Sequence, residues 1–417
     1  MNTRSKAMSR QVFSSLAIPN YRLYFFGQSV SLVGTWMQMT AQGWLVLTLT
    51  HSSLDIGWVV AIQTIPVLLL APYGGVVADR VDKRKLMIVL QTVMGIQALT
   101  LGLLSVFHVV RLWEVCVLAV ILGLNNAFET PSRQAFVREM VDADSIRNAV
   151  TLNIVTQNAA RAVGPAIAGI IIGTAGEGLC FLLNAASFGA VVASLLMMDR
   201  SSLSPSEPTI RERGQLREGF RYAAHTPQLA VPLAMMGLVG TLAYEFQVSL
   251  PVLAHGTFHG GAEAYGYMTG VMGVGAVFGG LVSAARNRMG FRSMATALTG
   301  FGVAILVLAA SPNLAIAYIV LFFVGWGSVT FVSLASATIQ LNAIPTMRGR
   351  TIALWQVAFQ GTTPIGGPLI GWIIAETNPR IGLDVGGASC LVAVAAGTVL
   401  VRRIRAARAA IPPPVIA

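Results

Sequence analysis

Long apolar runs alternate along this chain with short charged or Gly/Pro-rich breaks. Residues 56–78 hold no charged side chain, and neither do residues 86–110. Either run can cross a ~30 Å hydrocarbon core, which takes about 20 apolar residues at ~1.5 Å each. Counting such runs gives twelve spans, at about 22–49, 56–79, 86–108, 112–131, 148–174, 179–198, 228–253, 264–285, 291–310, 313–337, 351–375 and 383–401. The pattern predicts an all-α membrane protein, and the even number places both ends of the chain on one side.

The longest polar segment, residues 200–226, divides the spans six and six. Its Ser/Pro start reads as flexible linker, and 210–224 as an amphipathic surface helix. The predicted organisation is an N-terminal six-helix bundle (1–199), a cytoplasmic linker (200–226), a C-terminal six-helix bundle (227–405) and a cytoplasmic tail (406–417). The halves repeat. Residues 147–169 lie over 350–372 at a constant offset of 203, pairing Arg147 with Arg350, Gln157 with Gln360, Gly164 with Gly367 and Pro165 with Pro368. The string LVGT recurs at Leu32 and Leu238, each in the first span of its half. Duplicated six-helix units suit a transporter that rocks one half against the other.

Composition agrees with a membrane chain: 55% of residues are hydrophobic and 11% charged, against roughly 25% charged in soluble proteins. The +11 balance is spread over loops, so nucleic acid is not an expected partner. Of the 28 Lys and Arg residues, 25 fall on the side of the termini; Arg111 and Arg380 fall on the other, and Arg161 lies inside span 5. Basic loops stay cytoplasmic, so both termini are expected in the cytoplasm of a bacterial-type inner membrane. Arg4, Lys6 and Arg10 precede no short apolar core with a cleavage site, so no removable signal peptide is expected. Cys116, Cys180 and Cys390 lie far apart in apolar surroundings, with no metal or disulfide spacing. No nucleophile elbow, zinc-binding helix motif or phosphate loop appears, so neither an enzyme nor a cofactor is expected.

The turn between spans 2 and 3, GGVVADRVDKRK, places an acid at one span end with basic residues directly after it. Such a charge is costly at a membrane boundary and has a functional reason by default. Gly75, Asp79, Arg80, Lys83 and Arg84 resemble the cytoplasmic signature of the major facilitator superfamily, with Asp82 where that family usually has glycine. The run NAFETPSRQAFVREMV and the following NAV.LN....AR..GPA.AG are similar to the branch holding Tap-like multidrug efflux pumps and the enterobactin exporter. Gly164, Pro165 and Gly169 partly match the superfamily's helix 5 antiporter motif. The resemblance covers essentially the whole chain. It implies a twelve-helix fold in two pseudo-symmetric bundles, and a charge cluster of Asp79, Arg80 and Glu129 that latches helix 2 to helix 11. It also implies that helices 2, 5, 8 and 11 meet across the halves, where GxxxG spacing (Gly169 and Gly173, Gly266 and Gly270, Gly275 and Gly279, Gly367 and Gly371) would form sliding surfaces.

Polar residues inside the spans fall on faces. Gln28, Thr35, Gln38 and Gln42 share one side of span 1; Thr241, Tyr244 and Glu245 share one side of span 7; Asn153, Gln157 and Arg161 form an i, i+4, i+8 ladder on span 5. Such faces line a water-filled cavity or bond to each other, and cavity lining is the expectation for spans 1 and 7. Trp36, Trp326 and Trp355 are candidate aromatic walls. Arg161 is either structural or an anchor for substrate or a carboxylate. Glu245 alone among the 17 acids sits well within a long span, where burial favours its neutral form and suits it to proton coupling. The expected function is secondary active, proton-coupled efflux of amphipathic small molecules, drugs or a secreted metabolite, by alternating access. An importer or facilitator of the same fold is the rival, and a non-transporting scaffold or sensor the remote alternative. The expected partners are a small-molecule substrate, protons and the bilayer, with the protein a monomer.

Overall fold

The computed structural model describes residues 14–204, 215–285, 290–344 and 347–409. Every described element is helical. The first half comprises α1 (Pro19–Thr50), α2 (Ser53–Arg80), α3 (Lys83–Val106), α4 (Leu112–Met140), α5 (Ala143–Ala175) and α6 (Glu177–Met197). Helix α7 (Gln215–His225) follows in the connecting segment, while the first part of the predicted surface helix lies outside the described residues. The second half comprises α8 (Pro227–Leu242), α9 (Phe246–Val252) with a π-helical turn (Leu253–Thr257), α10 (Ala262–Ala285), α11 (Phe291–Ala309), α12 (Leu314–Asn342), α13 (Arg348–Gln360), α14 (Thr363–Glu376) and α15 (Pro379–Ala409).

Local chemistry sets these boundaries. Ser52, Asp82 and Asn313 each cap the following helix by accepting a backbone N–H three residues on, from Asp55 (3.2 Å), Lys85 (3.0 Å) and Ile316 (3.0 Å). Asp82, the departure from the signature, thus starts α3 as a good N-cap. Gly176, at φ +81° and ψ 166°, takes an extended positive-φ conformation open essentially to glycine alone, which lets α5 turn directly into α6. Helix α4 runs nine residues beyond the predicted end of its span, through Pro131, so Arg133 and Arg138 belong to a helix and not to a loop.

Among the described residues, nine helical stretches are long and apolar enough to cross a membrane. Helices α1 and α5 are long enough but too polar, and span 11 is broken into α13 and α14. The spans that fall short therefore include the two carrying the polar ladders. Packing repeats between the halves: α2 with α4, α3 with α6, α1 with α6, α1 with α5, α3 with α4 and α5 with α6 correspond to α10 with α12, α11 with α15, α8 with α15, α8 with α13, α11 with α12 and α14 with α15.

One face carries the N-terminal segment, the 4–5 connection and the linker. Ser15 N and Oγ donate to Asn148 Oδ1 (3.1 and 2.6 Å), Asn20 Nδ2 donates to Asp199 O (2.8 Å), and Ser204 N donates to Glu139 O (3.0 Å). Helix α7 joins that face to the 10–11 connection, with Ile344 N donating to the Tyr222 hydroxyl (3.2 Å) and Arg350 paired with Glu218 (2.6 Å). On this linker face, Asp199 accepts from Ser201 and Ser202, which holds its carboxyl below the usual range.

The halves touch along the other side. Ser53 Oγ donates to Gly371 O (2.8 Å), Gly57 abuts Gly367, Gly169 abuts Gly266, and Gly173 abuts Glu263. Helix α2 packs along α14 but barely touches α13, so the halves diverge toward the linker face. Of the GxxxG pairs, Gly275 and Gly279 face Phe322 and Trp326 of α12 inside the second half and are static packing, not part of the seam.

Candidate functional site in the bundle centre

Spans 7 and 11 are interrupted where they pack on each other. Helix α8 ends at Leu242 and α9 begins at Phe246; α13 ends at Gln360 and α14 begins at Thr363. A methyl group at Gly240 would fall 2.8 Å from both Ala358 O and Thr362 Oγ1. One at Gly366 would fall 2.7 Å from Glu245 Oε1 and collide with Thr241 O. Only hydrogen at those two positions lets the breaks meet. Their counterparts in the first half, within α1 and α5, lie in continuous helix.

Glu245 sits in this joint. It holds the N-cap position of α9 without making a capping bond, is 4% exposed, and its Oε1 has no hydrogen-bond partner among the described residues. The carboxyl faces the Thr363 side chain. A buried oxygen left unbonded costs roughly 1–3 kcal/mol, more if charged, unless a proton or water serves it. Non-helical backbone at membrane depth is tolerated where it is buried in protein or lines a water-filled cavity.

Arg161 lies across the seam on α5. Gly164, one turn on, brings α5 against the Val33 carbonyl and Trp36 Cβ of α1, and this close approach sets the Arg161 guanidinium over the Trp36 ring, 5.5 Å from its centroid. The Tyr244 phenol is within electrostatic reach, and Tyr244 itself donates to Ser328 O (3.0 Å). Its ring packs on Phe301 (5.2 Å) and Phe359 (5.4 Å), and Trp355 stacks on Phe359 (6.4 Å). Trp326 belongs instead to a cluster with Phe278, Phe322 and Phe323. Pro165 and Gly169 of the helix 5 motif meet Gly266 of α10 at the seam.

The span 1 glutamines do not act as one face. Gln38 is the hub of a buried network within the first half: Asn184 Nδ2 donates to Gln38 Oε1 (2.6 Å), and Gln38 Nε2 donates to Gln97 Oε1 (3.0 Å). Gln42 donates to Gln63 Oε1 (3.1 Å), Thr35 bonds back to Ser31 O, and Thr241 bonds back to Gly237 O. Gln28, with an unbonded Oε1, lines a small cavity with Tyr24, Asn153 and Thr156. Sequence reasoning missed Asn184, Gln97 and Gln63, because helical periodicity groups polar residues without saying what they face.

The basic turn is anchored inside the first half. Lys83 pairs with Glu139 of α4 at 2.7 Å with both side chains buried, and Arg84 donates through Nε and Nη2 to Leu195 O and Leu196 O at the end of α6. Glu129 pairs with Arg133 on its own helix (3.0 Å), and Arg133 also reaches Asn153 Oδ1 (3.5 Å), so in this conformation its ion pair is local to α4. Gly75 is buried and Arg80 exposed; the Asp79 side chain is outside the described residues.

A family profile described as transmembrane secretion effector matches residues 10–414. The chain belongs to that family, within the major facilitator superfamily. This secretion effector homologue is 24% identical over 378 residues to the enterobactin exporter EntS of Shigella boydii serotype 18, covering 90% of each chain. It is 27% identical over 263 residues to the staphyloferrin A transporter of Staphylococcus aureus, covering 62% of this chain and 66% of that one. Its fold matches a POT family transporter crystallised in complex with 5-aminolevulinic acid (TM-score 0.76, 9% identity, 92% of this chain and 96% of the other). It also matches the nucleoside transporter NupG (TM-score 0.71, 12% identity, 91% and 98%). The secretion effector homologue is therefore a multi-pass membrane protein of transporter, not enzyme, descent.

Proposed function

We propose that this protein is a proton-coupled secondary exporter that carries a secreted small metabolite out of the cell by alternating access. The named relatives move enterobactin and staphyloferrin A, which favours a secreted metabolite over drugs as cargo. Placing the basic linker face in the cytoplasm follows the charge asymmetry of the loops. On that placement the described conformation is open inward and sealed outward by the α2–α14 and α5–α10 glycine contacts. Lys83 and Arg84 are tied to α4 and α6, and on this reading Asp79 and Arg80 brace α2 against span 11 when the linker face closes.

The observation that carries the coupling is Glu245, a carboxyl with an unbonded oxygen buried where two interrupted helices meet. Relative movement of α8/α9 against α13/α14 would hydrate the carboxyl in one state and dry it in the other, so a proton is taken up and released once per cycle. The test is Glu245→Gln in proteoliposomes. Gradient-driven export is lost, while counterflow exchange of substrate continues. Export at the normal rate with unchanged pH dependence removes Glu245 from the coupling role.

A further inference from the structure

We propose that the cargo is an organic anion with a flat aromatic body, held by the Arg161 guanidinium and the Trp36 indole. This rests on the export reading above and names its substrate class. A guanidinium at membrane depth needs an anion, a set of acceptors or water. It carries five N–H donors, and among the described residues none is seen to bond to a carbonyl or carboxylate; the group lies over the Trp36 face, 5.5 Å from its centroid, with the Tyr244 phenol within electrostatic reach. A purely structural arginine would be tied into α10, but there it is the Arg161 backbone carbonyl, not the side chain, that lies against Gly273.

The acids of the bundle interior are already placed elsewhere. Glu139 holds Lys83, Glu129 holds Arg133, and Glu245 faces Thr363 across the span 7 and span 11 breaks. A bound anion supplies the missing charge. Arg161 also stands where such a ligand would stop: the Asn153, Gln157, Arg161 ladder climbs α5 from the linker face, and at Ala162 the backbone meets Gly273 at the seam. Trp36 supplies a partly exposed ring in one half, and Tyr244 and Phe359, packed edge to face, supply partly exposed rings in the other. A guanidinium already stacked on an indole presents its fork edgewise to a carboxylate, whose two oxygens match it. Anion and proton then occupy separate places, Arg161 in the first half and Glu245 in the second, so their coupling runs through the rocking motion and not through competition for one group.

Binding to purified protein in nanodiscs tests this without any transport step, using 2-naphthoate and its neutral isostere 2-naphthamide in titration calorimetry. The wild type should bind naphthoate about 10-fold or more tightly than the amide, as charge-assisted hydrogen bonds are roughly twice as strong as neutral ones. Arg161→Gln should reduce that preference to within about 2-fold, and Arg161→Lys should keep part of it because the charge stays while the fork is lost. Trp36→Ala should weaken both probes alike. Equal affinity of the wild type for the two probes, no saturable naphthoate binding, or a preference that survives Arg161→Gln overturns the proposal. If Arg161→Gln does not fold, the wild-type preference and its reduction in Arg161→Lys still decide. Failure of the Glu245 coupling test leaves this binding result standing, and the reverse also holds.

Discussion

Gly57→Ala tests the seam between the halves. In the described conformation the added methyl would collide with the Gly367 carbonyl, 2.7 Å from its carbon and 3.0 Å from Pro368 Cα, where ordinary contact begins at 3.4 Å. Those neighbours are backbone and cannot rotate away, so α2 and α14 must separate. Overpacking of this kind costs about 1–3 kcal/mol. The helix-propensity gain of alanine over glycine applies in every state and cancels. Only the form closed on the side away from the linker bears the clash, so its population should fall by roughly 5- to 150-fold relative to the opposite form. Gly367→Ala should act in the same direction but more weakly, since its methyl would sit 2.9 Å from Gly57 O and 3.6 Å from the next atoms. Spin labels on Lys85→Cys and Leu341→Cys, one in each half and both exposed, report linker-face spacing by electron double resonance. The distance distribution should shift to shorter values in Gly57→Ala, and less so in Gly367→Ala. Identical distributions in all three proteins would refute the seam as the contact that defines this state.

Lys83→Met breaks the buried Lys83–Glu139 pair and should lower the heat-unfolding midpoint in detergent; an unchanged midpoint contradicts a stabilising role for the pair. Gln38→Ala strands Asn184 Nδ2 and Gln97 Oε1, at about 1–3 kcal/mol each, so unfolding should come earlier even without substrate. Loss of transport with normal stability would instead return Gln38 to the cavity wall. Membrane-impermeant maleimide should label Pro205→Cys only from the cytoplasm and His259→Cys only from outside, and labelling of both from one side contradicts the orientation.

The helical rods were legible because apolar length and charged breaks are linear properties of the chain. Glu245 and Arg161 stood out for the same reason, as charges inside apolar runs. The joint that gives Glu245 its setting was not legible. Pro251 and Pro364 mark weak points in spans 7 and 11, but the breaks fall at 243–245 and 361–362, where Gly240 and Gly366 let one span press on the other. That is a tertiary fit with no local signature. Likewise Gln38 and Gln28 share a helical face in sequence, yet α3 and α6 cover one and leave the other beside a cavity. The Glu129–Arg133 pair, at i, i+4 spacing, was readable once α4 was extended past Pro131.

The central claim, proton-driven export, is tested most directly in everted membrane vesicles. The substrate would be a metabolite that cells lacking the gene retain. With the lumen acidified, vesicles containing the protein should accumulate that metabolite against its gradient, and a protonophore should abolish the accumulation. Accumulation that withstands the protonophore, or movement only down the metabolite's own gradient, would contradict it.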